Sequence, residues 1–411
     1  MISKKRSVRS FFHKALSVFC LASLLFVSPV KVYAEEERLA DTDYIPSTEW
    51  PEADEIDAEA AILIDADSGM GLYAKVSDSF RYPASTTKIL TALLVMENCD
   101  MDDEIVFEGE ALTPLPPGYV SLPCIEGEKM TIRECMYGLL LPSYNDCANA
   151  LAVHVAGSIA AFADMMNERA KELGCKFTHF TNPSGMADED HYTTPYDMVQ
   201  IMKECVKHEE FFEITSKPYH TIPKTNKHEA RYMDVTNKMI VENSPYYDPD
   251  VKGGKTGHTT PAGYNLIVYA ERGDMHLICI SMKCELDPQK FTSTRTLLDY
   301  GFDSFKHVSA GDMNFSALKD GSGIFGLELL RQNRDYKVCM KADEGMIIPS
   351  DKEISDLDIT FTSLDPTAEA DGAAFCVDFL LGGQKLGDAR VYVEGGTFSP
   401  VANESKAYLE A

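Results

Sequence analysis

The sequence predicts an α+β fold: a mixed sheet whose first and last strands meet, a helical insertion to one side of it, and a small all-β region after it. Three observations carry this reading. Strand-like runs stand at both ends of residues 57–306, helical patterns fill most of residues 131–208, and past His307 the helical periodicity gives way to short alternating runs. At 411 residues the chain has the length for two or three domains and ample core.

Taken in order, residues 1–34 read as a signal peptide. Lys4, Lys5, Arg6, Arg9 and Lys14 precede an apolar run from Ala15 to Val27, and Val32-Tyr33-Ala34 offers small residues at −1 and −3 of a cleavage point before Glu35. The apolar run, roughly 13–16 residues, is short of the ~20 that span a bilayer, and Cys20 lies mid-run rather than at its end, where a lipoprotein site would need it. The expectation is an exported, extracytoplasmic protein with no transmembrane segment in the mature chain. Residues 35–56, with Glu35-Glu36-Glu37, Pro46 and Pro51, form an acidic lead-in.

Ala60-Ala-Ile-Leu-Ile-Asp-Ala66 and Gly71-Leu-Tyr-Ala74, separated by Asp67-Ser68-Gly69, predict a hairpin. Tyr82-Pro-Ala-Ser-Thr-Thr-Lys88 then opens an apolar run to Met96, a helix started by Pro83 and buried nearly all round. Residues 104–128 are strand and loop, punctuated by Pro114, Pro116, Pro117 and Gly118. Thr131-Ile-Arg-Glu134 is a capping box ahead of a helix that Pro142 ends. After Ser143-Tyr144-Asn145-Asp146 come a helix through Val155, one capped by Ser158 to about Leu173, a turn at Phe180–Gly185, and one begun by Thr194-Pro195 and running through Val206. Tyr264–Ala270 and His276–Met282 flank Glu271-Arg-Gly-Asp274, a hairpin signal, and Asp287-Pro288 caps a last helix ending near Phe305. Runs such as 335–340, 357–361 and 374–379, with a turn at Gly382-Gly383, make residues 307–400 a small all-β domain followed by a tail, 401–411.

The chain holds 38 Lys and Arg against 65 Asp and Glu; loss of the leader, with six bases and no acid, leaves a net charge near −33. That argues against nucleic acid and anionic lipid as partners, since both need a positive surface, and the excess of acid reads most simply as keeping the protein in solution. Ten cysteines remain, spaced singly with no Cys-x-x-Cys, and the ten histidines form no ligand cluster, so neither a zinc site nor a small disulfide framework follows. Buried free thiols are the simpler reading, with isolated disulfides as the alternative.

Ser85 and Lys88 stand three residues apart at the head of a buried helix, on one face, so the amine can reach the hydroxyl. Ser-x-x-Lys alone is weak: Ser316-Ala-Leu-Lys319 has the same form in the β-rich tail. Company decides. Acyl transfer through a serine needs a nucleophile, a base, a second proton carrier and an anion site, and Ser85/Lys88, Ser143/Asn145 and Lys255-Thr256-Gly257 supply them in order, each at the edge of a regular element. Gly321-Ser-Gly-Ile-Phe-Gly326 spells a dinucleotide-binding pattern, but no buried strand precedes it and no helix opens after it. His258 beside the Lys-Thr-Gly reads as a spacer residue rather than a base, so a Ser-His-Asp triad has no natural candidate, and no motif calls for a cofactor or metal.

On these motifs the chain resembles the serine-type D-alanyl-D-alanine carboxypeptidases, low-molecular-weight penicillin-binding proteins of peptidase family S11. The resemblance covers nearly all of the expected mature chain, through Pro83–Leu94, Leu141–Asp146, Phe180-Thr-Asn-Pro-Ser-Gly185, Lys255–Thr259 with Ala262-Gly263, and Leu297–Phe302. It implies a β-lactamase/transpeptidase-like catalytic domain at 57–306, with an antiparallel sheet and a helical subdomain. It also implies removal of the terminal D-alanine from peptidoglycan stem pentapeptides, and acylation by β-lactams. Ser85 would attack, Lys88 would take its proton, Ser143 would relay it to the leaving D-alanine, and Asn145 would hold Lys88 and the substrate amide. Lys255 and Thr256 would bind the terminal carboxylate, and the backbone N–H groups of Ser85 and His258 would form the oxyanion hole. Two departures stand out: Tyr144 occupies a position often held by Gly, and Lys290 one often held by an Arg that binds the carboxylate.

Two rivals remain at this stage. A class A β-lactamase shares the three motifs but needs a Glu about 20–40 residues past the second to activate water, where this chain has Phe180–Gly185. A non-catalytic wall-binding protein would keep the fold without the set Ser85, Lys88, Ser143, Asn145 and Lys255.

Overall fold

The computed structural model describes residues 49–309, 337–340, 345–363 and 375–394. The predicted signal peptide, most of the acidic lead-in, the tail, the Ser316/Lys319 pair and the Gly321–Gly326 pattern lie outside the described residues. In chain order the strands are β1 (Ala60–Asp65), β2 (Gly71–Lys75), β3 (Glu104–Phe107), β4 (Glu128–Thr131), β5 (Tyr219–Ile222), β6 (Arg231–Asp234), β7 (Val251–Thr259), β8 (Gly263–Arg272), β9 (Met275–Cys284), β10 (Phe305–Ser309), β11 (Lys337–Met340), β12 (Gly345–Pro349), β13 (Asp358–Ser363), β14 (Phe375–Leu381) and β15 (Gln384–Glu394). The α-helices are α1 (Lys88–Asn98), α2 (Ile132–Leu140), α3 (Asn145–Ala156), α4 (Ile159–Glu172), α5 (Pro195–Cys205), α6 (Glu209–Thr215) and α7 (Asp287–Ser304).

Five strands form the central sheet in the order β2-β1-β9-β8-β7. The first and last strands meet as expected, Ala60 opposite Met282 and Ile62 opposite Ile280. Every pairing in the sheet is antiparallel, so the mixed sheet suggested by the residue pattern gives way to the antiparallel one. The reason is connectivity: β8 and β9 are joined by a tight turn at Gly273, φ 66°, and a hairpin can only run antiparallel. Ile62, Leu63, Leu266–Val268 and Leu277–Ile280 are fully buried, as a sheet packed by helices requires. Helix α7 lies on β8 and β9, and α5 on β9 and β1.

Helix α1 is the axis of the helical group. It packs against α2, α3, α4 and α5, and every residue from Lys88 to Val95 is buried. Thr131, Ser158 and Thr194 cap α2, α4 and α5 through their hydroxyls, as the sequence predicts. The capping box at Thr131 is only half made, because the Glu134 carboxylate turns to His220 Nε2, 2.7 Å away. Beyond α7, β10 pairs with β12, and β11-β15-β14-β13 form a four-stranded sheet. Phe305, at the start of β10, packs its ring against Trp50 and Tyr300. Among the described residues no single helix is long and apolar enough to cross a membrane.

Candidate active site

Ser85 does not lie in the α-helix itself. Ala84–Thr87 form a 3₁₀ turn that leads into α1 at Lys88. A 3₁₀ turn stacks residues i and i+3 directly above one another, which brings Lys88 Nζ to 3.0 Å from Ser85 Oγ. The same nitrogen lies 2.7 Å from Asn145 Oδ1 and 2.6 Å from the Ser184 carbonyl oxygen. Asn145, the first residue of α3, gives its Nδ2 to the Val120 carbonyl at 3.0 Å, which turns its oxygen towards the lysine.

Three acceptor oxygens surround the nitrogen, a set that serves an ammonium and a neutral amine alike. A neutral –NH₂ has two N–H donors and one lone pair, so it can donate to Asn145 and Ser184 and accept the Ser85 hydroxyl proton. The Lys88 pKa is held well below the ordinary lysine value, first by complete burial and then by repulsion from Lys255. Cys147 and Asp146 oppose the shift and do not reverse it.

Ser143 sits in the loop between α2 and α3 with φ 73°, a left-handed backbone uncommon for a serine. The two residues after the kink fix it: the Tyr144 N–H donates to the Gly138 carbonyl at 2.9 Å, and the Asn145 N–H to the Val120 carbonyl at 3.0 Å. Ser143 Oγ is buried and makes no hydrogen bond with the described residues, so its proton is not committed elsewhere. The ring of Tyr144 is half-buried and leans on Gly138: a Cβ there would stand 3.4 Å from Cδ2.

Lys255, Thr256 and Gly257 come from β7, the edge strand. Lys255 is buried and its pKa is lowered to about 7, by burial and then by the charge of Lys290. Its ammonium donates to the Thr256 carbonyl at 2.9 Å, and the Thr256 hydroxyl donates to Thr236 Oγ1 at 2.6 Å. A Cβ on Gly257 would lie 2.8 Å from the Pro83 carbonyl oxygen and 3.1 Å from the Ser85 nitrogen, so a bare glycine lets β7 close on the nucleophile's backbone. His258 is exposed, its ring stacked on Tyr264 at 4.1 Å. Lys290 lies in the first turn of α7. It is buried, ion-paired with Asp287 and set over the rings of Phe291 and Tyr264 at 4.3 and 5.2 Å.

Several contributors were invisible as motif residues. The Asn182–Gly185 turn supplies the Ser184 carbonyl to Lys88 and the Pro183 carbonyl to Thr91 Oγ1 at 2.6 Å. Asn182 Oδ1 accepts from the N–H groups of Ser184, Gly185 and Met186, which holds the turn closed. The quoted run Phe180–Gly185 was the available signal for it. In the stretch 20–40 residues past the second motif, Glu168 and Glu172 are exposed on α4, where a class A β-lactamase would need a Glu that activates water at the nucleophile. Nine cysteines are free thiols, and burial pushes up the pKa of seven of them.

Comparison with known proteins adds the following. Residues 47–285 match the family model described as D-alanyl-D-alanine carboxypeptidase. The D-alanyl-D-alanine carboxypeptidase DacF of Bacillus subtilis is 34% identical over 255 residues, a match covering 61% of this chain and 63% of that protein. The matched part therefore spans just under two thirds of that relative's length. Penicillin-binding protein D2 from Listeria monocytogenes, solved in a cefotaxime-bound form, is 28% identical with a TM-score of 0.54, covering 61% of this chain and all of that one. Penicillin binding protein 5 from Haemophilus influenzae, at 24% identity and a TM-score of 0.68, shares the fold over 84% of this chain and 98% of its own.

Proposed function

The chain belongs to the D-alanyl-D-alanine carboxypeptidase family, and on that premise we propose that it is a serine carboxypeptidase that removes the terminal D-alanine of peptidoglycan stem pentapeptides through an acyl-enzyme. The observation that carries the proposal is the buried Lys88 nitrogen, 3.0 Å from Ser85 Oγ and held by Asn145 and Ser184, with its pKa lowered by burial.

Ser85 Oγ attacks the carbonyl between the two D-alanines while its proton passes to the Lys88 lone pair. Negative charge on the carbonyl oxygen is met by the N–H groups of Ser85 and His258, each such donor contributing about 2.7–4 kcal/mol in comparable enzymes. The uncommitted Ser143 hydroxyl hands a proton to the departing D-alanine nitrogen and recovers one from Lys88. Lys255 and the Thr256 hydroxyl bind the terminal carboxylate, whose negative charge favours the protonated form of Lys255. Lys290 adds positive charge to that end of the cleft rather than a free ligand, since Asp287 already holds its ammonium. Water then hydrolyses the acyl-enzyme, and a β-lactam, whose leaving group stays tethered, is held there as a slow substrate.

The same reading makes residues 57–306 the catalytic domain, residues 307–400 a β-rich accessory domain, and the protein one that works outside the cytoplasm after loss of residues 1–34. Two measurements test it together. A fluorescent penicillin should form a covalent adduct with the purified protein and none with Ser85→Ala, and D-alanine should be released from a peptide ending in D-Ala-D-Ala. No adduct refutes the serine mechanism; an adduct without D-alanine release refutes the carboxypeptidase assignment; rapid drug turnover favours a lactamase.

A further inference from the structure

His191 belongs to none of the motifs described, yet its imidazole is buried between the two segments that meet at Lys88. On one side Nδ1 accepts from the Thr181 N–H at 3.0 Å, with Thr181 Oγ1 at 3.3 Å and Asn182 Nδ2 at 3.4 Å. On the other, Nε2 lies 2.8 Å from Oγ1 of Thr87, the residue before Lys88. An amide N–H can only donate, so Nδ1 carries the lone pair and Nε2 the proton, which it gives to Thr87. Burial pushes the ring's pKa down to about 4, which keeps it neutral at ordinary pH. Phe180 meets the ring edge-on at 5.3 Å and fixes its plane.

The turn that His191 grips needs such a restraint. Gly185 is pressed so closely on the nucleophile's peptide that a Cβ would fall 1.8 Å from the Ala84 carbonyl oxygen. The turn also presents a bare carbonyl, that of Ser184, to the catalytic amine at 2.6 Å. A carbonyl on a five-residue turn is placed only as well as the turn is, and His191 joins that turn to the 3₁₀ segment carrying Ser85.

We propose that His191 is a positioning residue of this active site, a neutral imidazole that fastens the Thr181–Gly185 segment to Thr87 and so holds the Ser184 carbonyl on the Lys88 amine. The inference rests on Ser85 and Lys88 acting as nucleophile and base.

The test is rapid-mixing acylation of the full chain by a fluorescent penicillin, resolved into the dissociation constant of the non-covalent complex and the acylation rate constant at saturating drug, with a thermal melt of each variant. His191→Leu fills similar space but leaves the Thr181 N–H without its acceptor; it should cut the acylation rate constant about 10- to 100-fold, the scale of a small misplacement at a reacting centre. The dissociation constant should stay within about threefold, as for an interaction realised only on the way to the transition state. His191→Gln, which can accept from Thr181 and donate to Thr87, should recover most of the rate. Thr87→Val, near-isosteric, should give a smaller loss in the same constant, and it carries the test if the leucine variant does not fold. Unchanged acylation in the folded variants, or a Gln variant no better than Leu, overturns the role of His191 alone. No adduct in the unaltered chain overturns the site reading and this role with it.

Discussion

Lys255, on β7, is the largest electrostatic cause of the depressed pKa of Lys88, on α1, second only to burial. In the proposed mechanism these two buried lysines make opposite demands on one cleft: Lys88 must be neutral to take the Ser85 proton, and Lys255 must be charged to bind a carboxylate. Removing the charge of Lys255 lets the Lys88 pKa rise. Lys255→Gln should therefore move the acid limb of the pH profile for penicillin acylation to higher pH, besides lowering the rate throughout. An acid limb that stays where it was would mean that the two lysines are not coupled.

In the same mechanism the alkaline limb is set by Lys255. Its pKa in the free protein is about 7, so carboxylate binding weakens as pH rises through that value, and kcat/KM for a D-Ala-D-Ala peptide should fall there. Lys290 is the second cause of that low pKa, after burial. Lys290→Met should then shift the alkaline limb upward, as read from kcat/KM against pH. A downward shift, or none, would contradict a like-charge effect between the two.

The buried charge also costs stability. Lys255 is lowered in the folded state and ordinary in the unfolded one, so its penalty is fully present below about pH 7 and fades towards the unfolded value near 10.5. Lys255→Met should raise the midpoint of thermal unfolding at pH 6, and the gain should shrink steadily by pH 10. A gain of equal size at both pH values would trace to packing instead.

Gly185 has φ 79°, and its missing side chain makes room for the Ala84 carbonyl. Gly185→Ala meets both a left-handed backbone and a backbone overlap that no rotamer relieves. Strain of this kind costs about 1–3 kcal/mol before any clash is counted. A lowered unfolding midpoint is expected, together with acylation reduced by at least about 100-fold as Ser85 is displaced. Near-normal acylation in this variant would show that the turn is not packed on the nucleophile.

How far the sequence reaches can be judged residue by residue. Ser85 and Lys88 were legible because their geometry is local, set by three residues of one turn, and Lys255 because a rare tripeptide marks it. The pairing of β1 with β9 followed from strand signals at both ends of 57–306, whereas the antiparallel sense of the whole sheet depends on connections that no single run encodes. The Ser184 carbonyl was illegible because a backbone oxygen has no residue type, and His191 because a lone histidine carries no spacing. Lys290 stood out by its position in the chain, whereas its ion pair with Asp287, three residues before it, shows only in the structure.

Glu128 supports the far wall of the site. Its side chain is fully buried, and its carboxylate accepts from Arg231 Nη2, from Thr225 Oγ1 at 2.8 Å and from His228 Nδ1 at 2.9 Å, joining β4 to the β5–β6 hairpin. Burial alone would raise its pKa, but these partners outweigh burial and leave it below the usual glutamate value. The stabilisation is therefore present above the unfolded value near 4.5 and is lost as pH falls through the lower folded value. Arg231→Met strips the main counter-charge and should cost about 3 kcal/mol in urea unfolding at pH 7, the scale for orphaning one member of a buried pair. At pH 3, where the carboxyl gains its proton, the difference from the unaltered protein should contract. The segment between β3 and β4 also carries Val120, whose carbonyl accepts both the amide N–H and the side-chain Nδ2 of Asn145. If the buried pair holds that segment in place, Arg231→Met should slow acylation at pH 7 as well. A variant destabilised but acylated at the normal rate would separate the strut from the site it flanks.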